Sequence, residues 1–158
     1  MSERIEGKVT GVKIANGKFL RCQADATLNM TINTEQDEEC KDLSYTATDV
    51  SGVGSALTYN TQTASSVDWS IDVNRGMFYD SLVDETDFID EVINKNNVEF
   101  EVQFVIPSKG AGTQSRVFSG NAILTTISVN APVAGKVSED LTFTGNGKPT
   151  WTVTSFTA

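Results

Sequence analysis

Apolar and polar side chains alternate with a period of two along most of this sequence, and that alternation limits the fold more than any other feature. Val98, Phe100, Val102, Phe104 and Ile106 alternate with Glu99, Glu101 and Gln103. Leu20, Cys22, Ala24, Ala26, Leu28, Met30 and Ile32 alternate with Arg21, Gln23, Asp25, Thr27, Asn29 and Thr31. Val67, Trp69, Ile71 and Val73 do the same with Asp68, Ser70, Asp72 and Asn74. Successive side chains of a strand point to opposite faces, so each run predicts a strand with one buried and one wet face.

Residues 116–151, RVFSGNAILTTISVNAPVAGKVSEDLTFTGNGKPTW, extend the pattern. They predict a long strand, a corner at Ala131-Pro132, a second strand, a tight turn at Gly145-Asn146-Gly147 and a third strand. Asn-Gly is a strong hairpin signal because both residues tolerate positive φ. Phe118, Ala122 and Leu124 share one parity, whereas Ile127 and Val129 share the other. One extra residue near Thr125-Thr126 reconciles them, which predicts a β-bulge there. Near the start, 8–14 reads as a strand with a bulge at Gly11, and Asn16-Gly17 as a hairpin into the strand that follows.

A single helix is expected over 85–96. Asp84 is placed to cap it, with Asp87 three residues later in a capping-box-like arrangement. Phe88, Ile89, Val92 and Ile93 recur at helical spacing and form a candidate docking face. The acidic run EQDEECKD at 35–42 lacks the alternating Asp/Asn and bend glycine of a calcium loop and reads as a solvated connection. Residues 43–66 are rich in Ser, Thr, Gly and Ala, with Asp49 their only charge. So long a polar stretch either binds something or stays mobile, and its low charge suits it to being covered by another protein surface; the alternative is a polar hairpin of no special purpose over 44–48 and 56–59. The tally is mainly β: a sandwich or barrel of seven or eight strands, one helix packed outside and a long polar loop, in a single domain over 1–158.

Composition removes most chemistry. The 158 residues contain no histidine, which excludes Ser-His-Asp and Cys-His nucleophile arrangements and imidazole bases. Two cysteines without histidine do not make a tetrahedral zinc site, and Cys22 and Cys40 make no disulfide framework. No phosphate-cradling glycine loop is present. Paired acids such as Asp68 with Asp72 and Glu99 with Glu101 fit a carboxylate glycosidase in type, but each pair alternates on the wet side of a strand, where polar residues are needed anyway. No catalytic residue, metal or cofactor is expected. A net charge of −9 opposes binding to nucleic acid as a ligand or to an anionic membrane. No apolar leader or membrane-spanning run is seen in the sequence.

The order of these features resembles the major tail tube proteins of long-tailed bacteriophages. The likeness is carried by GKFLRCQADATLNMTI, the long polar loop, SVDWSIDV, a helix before VEFEVQF, and SGNAILTTISVNAPVAGKVSEDLTFTGNGKPTW. It spans residues 8–151; the 35–42 run and the details of the Ser/Thr-rich loop are not fixed by the shared pattern. The resemblance implies a non-enzymatic virion subunit that forms hexameric rings stacked into a tube, assembled in the host cytoplasm. Its partners would be other copies of itself, a tape-measure protein, and the tail terminator and baseplate proteins, with genomic DNA passing through unbound. The same tube fold serves contractile tails and type VI secretion. Within that frame Asp25, Asp68, Asp72, Glu99 and Glu101 are candidates to line the lumen. Tyr45, Asp49, Val53, Leu57 and Tyr59 are candidates to stack rings. The alternative is a small β-sandwich module that binds glycans or a host surface.

Overall fold

The computed structural model describes residues 4–7, 10–14, 19–20, 23–36, 62–77, 87–110 and 112–155. They form β1 (Gly11–Ile14), β2 (Gln23–Gln36), β3 (Gln62–Gly76), α1 (Phe88–Asn94), β4 (Glu99–Ile106), β5 (Gln114–Asn130), β6 (Ser138–Gly145) and β7 (Thr150–Ser155). The strands make one sheet in the order β1-β4-β5-β6-β3-β2, with β7 paired to β5. The fold is mainly β with one helix among the described residues. The chain divides into two compact units, Thr31–Asp68 and the remainder.

β5 organises the larger unit. Along one edge it pairs with β4, from Glu99↔Ile123 to Ile106↔Arg116. Along the other it pairs with β6 over Ala122–Asn130 and with β7 over Gln114–Ser119. The register slips between Leu124 and Thr126, so Thr125 is the extra residue demanded by the phase change in the sequence. Its hydroxyl lies 3.3 Å from the Thr142 carbonyl, to which it donates, and 3.0 Å from the Thr144 hydroxyl.

The Asn146-Gly147 hairpin does not form. β6 and β7 pair with β5 and not with each other, and they run end to end along one edge of it. Gly147 has φ +94°, but Asn146 is outside the left-handed region that a two-residue reversal needs. The Asn146 N–H donates to the Asn121 carbonyl at 2.8 Å and holds the connection against β5. Turn chemistry signals a bend, but a 17-residue strand has room for two partners in line.

The register stacks side chains into rows across the sheet. Leu124, Phe143 and Ile71 make one apolar row; Ile127, Leu141 and Val73 make the next. These residues join Val12, Ile14, Leu20, Phe100, Val102, Phe118 and Ala122 in the core. Trp69 is 4% exposed and crosses Gly145 and Gly120, where an added Cβ would come within 2.2 and 2.6 Å of its ring. Its indole N–H donates to the Gly147 carbonyl at 3.0 Å. The two glycines are therefore required by the bulk of Trp69.

The third core-side row ends in charge. Arg75 and Glu139 are register partners, 5% and 1% exposed, with Nε donating to Oε1 at 2.8 Å. The guanidinium also lies 5.4 Å from the centre of the Phe88 ring. Phe88 is the fully buried residue of α1 and meets Phe100 and Phe143 edge-on at 5.3 and 5.7 Å. Val92 packs on the same core, Ile89 is half-buried and Ile93 is exposed. The docking stripe is thus narrower than its spacing implied, because a helix of under two turns lays only one ridge on the sheet.

Other boundaries move. The helix starts at Phe88, with Asp87 as its N-cap accepting from the Ile89 and Asp90 amides, in place of the cap expected at Asp84. Asp84 lies outside the described residues. β1 begins at Gly11, so this glycine opens the strand where a bulge was expected. After β1 the chain returns on itself through the Lys13↔Phe19 bridge, and the Asn16-Gly17 turn lies outside the described residues. Gln23 then closes the seam: its carboxamide accepts from the Val12 amide at 2.9 Å and donates to the Val12 and Leu20 carbonyls.

In the smaller unit, β3 begins at Gln62, five residues before the expected start at Val67. Side chains here hold the two strands: Asn33 donates to Asp68 at 2.7 Å and to Ser66 at 3.0 Å, and Thr34 bonds Gln62. Ile32 (62% exposed) and Val67 (51%) are uncovered, although the alternation placed both inward. A two-stranded ribbon offers nothing to bury them against.

Candidate functional site

The feature that needs a functional account is the wet face of the sheet in the larger unit. Glu99, Ile123, Thr144 and Ser70 form one row across β4, β5, β6 and β3. Thr126, Thr142 and Asp72 form the next, and Ser128, Asp140 and Asn74 the one after. Glu101 lies opposite Asn121 on the same face. These positions alternate with the core rows, so the pattern that buries Leu124 and Phe143 necessarily presents the polar set on the other side.

Hydrogen bonds fix the middle of this face. Asp72 accepts from the Thr142 hydroxyl at 2.9 Å and from the Asn29 amide at 3.0 Å, while Asn74 donates to Asp140. Asp25 and Thr27 join Asp72, Asn74, Asp140 and Thr142 around a groove of about 260 Å³. Of the acids singled out in the sequence, Asp25, Asp72, Glu99 and Glu101 thus share one face of the larger unit. Asp68 belongs to the smaller unit, bonded to Asn33. Asp140 is an acid of this face that the sequence reading passed over, although its parity opposite Leu141 and Phe143 marked it. On β2, β3, β5 and β6 no lysine or arginine falls on this face among the described residues; Lys13 lies on the same side of β1, opposite Gln103.

No three His, Cys, Asp or Glu residues converge as a metal cluster among the described residues. Tyr45, Asp49, Val53, Leu57 and Tyr59 lie outside the described residues. No helix among the described residues is long and apolar enough to cross a membrane.

No protein-family model matches the chain, and no curated protein matches it. Solved structures do. A chain of the native gene transfer agent virion is similar at TM-score 0.64 and 14% identity, over 93% of this chain and 98% of that one. A chain in the tail of an empty gene transfer agent particle, with C6 symmetry, gives 0.62 and 15%, over 93% and 98%. The SPP1 tail tube gives 0.60 and 11%, over 98% and 81%. At these identities the likeness establishes the fold: the chain has the tail tube fold.

Proposed function

We propose that the protein is a structural subunit of a phage-type tail tube, assembling in host cytoplasm into six-membered rings that stack around a bore. The observation that carries this is the single continuous acidic sheet face, Asp25, Asp72, Asp140, Glu99 and Glu101, on a chain of tail tube fold. Facing the bore, these carboxylates repel phosphates and let DNA slide past without binding, because nucleic-acid affinity is set by cation–phosphate contacts and strands β2 to β6 carry no cation on this face among the described residues. Six subunits are inferred from the C6 symmetry of the similar tail. The partners are then further copies of the chain, a tape-measure protein inside the growing tube, and terminator and baseplate proteins at its ends. Residues 43–66, with Tyr45, Asp49, Val53, Leu57 and Tyr59, stack successive rings; Asp68 joins the lumen lining. Electron microscopy of the purified chain at rising concentration tests the reading. Rings or tubes with a central hole are expected, whereas a monodisperse monomer at every concentration would overturn it.

A further inference from the structure

β3 and β6 meet along a seam whose middle is compatible with more than one register. On the core side Ile71 opposes Phe143 and Val73 opposes Leu141. Sliding β3 two residues toward the Gly145 end of β6 sets Ile71 against Gly145 and Val73 against Phe143, which still suit one another. The wet side is as permissive. Asp72, which now accepts from the Thr142 hydroxyl, would face Thr144, and Asn74, which now donates to Asp140, would face Thr142. A two-residue shift keeps every side chain on its own face, so the alternation that builds the sheet does not forbid it. Bulk forbids only the opposite slide. That one sets Trp69 beside Phe143, whereas its ring now crosses Gly145 and Gly120, where there is no side chain.

We infer that the buried Arg75–Glu139 ion pair locks the register of this seam, guarding the direction in which Trp69 meets only glycine. The two residues are register partners on the core side, and Glu139 is 1% exposed. Its carboxylate accepts from Arg75 Nε at 2.8 Å. In the slid register Arg75 faces Leu141 and Glu139 faces Met77, so the carboxylate stays in the core against a thioether. A buried carboxylate set apart from its cation is strongly disfavoured, whereas the apolar and hydroxyl pairs change little. Between Ile71 and Gly76 this pair is what tells the two registers apart.

The lock secures the polar face on the other side of the same strands. β2 is bonded to β3 through Asn29 and Asp72, so a slide would carry both strands roughly 7 Å past β6. Asp25 and Asp72 would then leave the neighbourhood of Asp140 and Thr142, and the groove these residues line together would not form.

Cysteine pairs on the wet side read the register directly. Asn74→Cys with Asp140→Cys are opposed in the register described, and Asn74→Cys with Thr142→Cys in the slid one. Opposed positions lie within disulfide reach, whereas Asn74 and Thr142 are now diagonal, about 7–8 Å apart. Each pair is placed in the parent chain and in two variants. Arg75→Met with Glu139→Leu removes both charges, and Arg75→Met with Met77→Arg moves the cation to where a slid Glu139 would meet it. All are oxidised without denaturant, and peptide mapping separates these bonds from any to Cys22 or Cys40. We expect the ratio of slid to native bond to rise roughly tenfold or more over the parent's. A rise in either variant that keeps its strand signal in far-ultraviolet circular dichroism supports the lock. If every variant that keeps this signal shows the parent's ratio, or neither keeps it, the pair serves stability and not register, and the inference is overturned.

Discussion

Gly145→Ala separates backbone propensity from packing, because the two predict opposite signs. In an ordinary strand position, replacing glycine by alanine stabilises by roughly 0.4–1 kcal/mol through the unfolded chain. Here the new methyl would lie 2.2–2.4 Å from three atoms of the Trp69 indole, where carbon contacts settle at roughly 3.5–4 Å. The ring must retreat by roughly 1.5 Å. It is held by its N–H bond to the Gly147 carbonyl and by an edge contact with Phe118 at 5.1 Å. Overpacking costs about 1–3 kcal/mol, a net hydrogen bond about 1 and an aromatic pair about 0.5–1.5. The expected net is a loss of about 2–4 kcal/mol. Urea unfolding followed by far-ultraviolet circular dichroism measures it, a signal that does not depend on Trp69 itself. Adding Trp69→Phe should relieve the overlap and leave a coupling of at least about 1 kcal/mol. A Gly145→Ala variant as stable as the parent would refute the packing argument.

The buried ion pair gives a second test. Glu139→Leu removes the buried carboxylate to which Arg75 Nε donates and should lower the urea midpoint, whereas Arg75→Met with Glu139→Leu should recover most of that loss in denaturant titrations. Asp87→Ala removes the cap of α1 and should cost about 1 kcal/mol, read as a lower urea midpoint at unchanged slope. Glu99→Lys with Glu101→Lys should leave tubes visible by electron microscopy and slow DNA ejection from particles carrying them; unchanged ejection kinetics count against a lumen position for β4.

What could be read in advance was whatever a strand's own period encodes. The phase change between Leu124 and Ile127 located the bulge at Thr125, because one unpaired residue must shift every later side chain to the other face. Arg75 and Glu139 were missed although both sit on core parity, two residues beyond Val73 and two before Leu141. Two opposite charges on inward positions were the available signal. Asn146-Gly147 misled because a dipeptide reports a bend and not which strand the chain joins afterwards; that was decided by the length of β5. Ile32 and Val67 alternate as well as Ile71 does, yet period says nothing about whether a second layer lies above. For the candidate face, residue type and parity placed Asp72, Glu99 and Glu101 on wet positions, but their shared side followed only from the register across four strands.

The shared dependence of β4, β6 and β7 on β5 sets an order of events in the newly made chain. Those four strands are consecutive, so their loops close at little entropic cost. β3 reaches β6 across far more chain, 64 residues between Arg75 and Glu139, and β2 joins only through β3. Long-range pairing of this kind is slow. β3 and β2 are thus the last strands to join the sheet, so the polar rows that they share with β6 form only after the four-stranded part around β5 is in place.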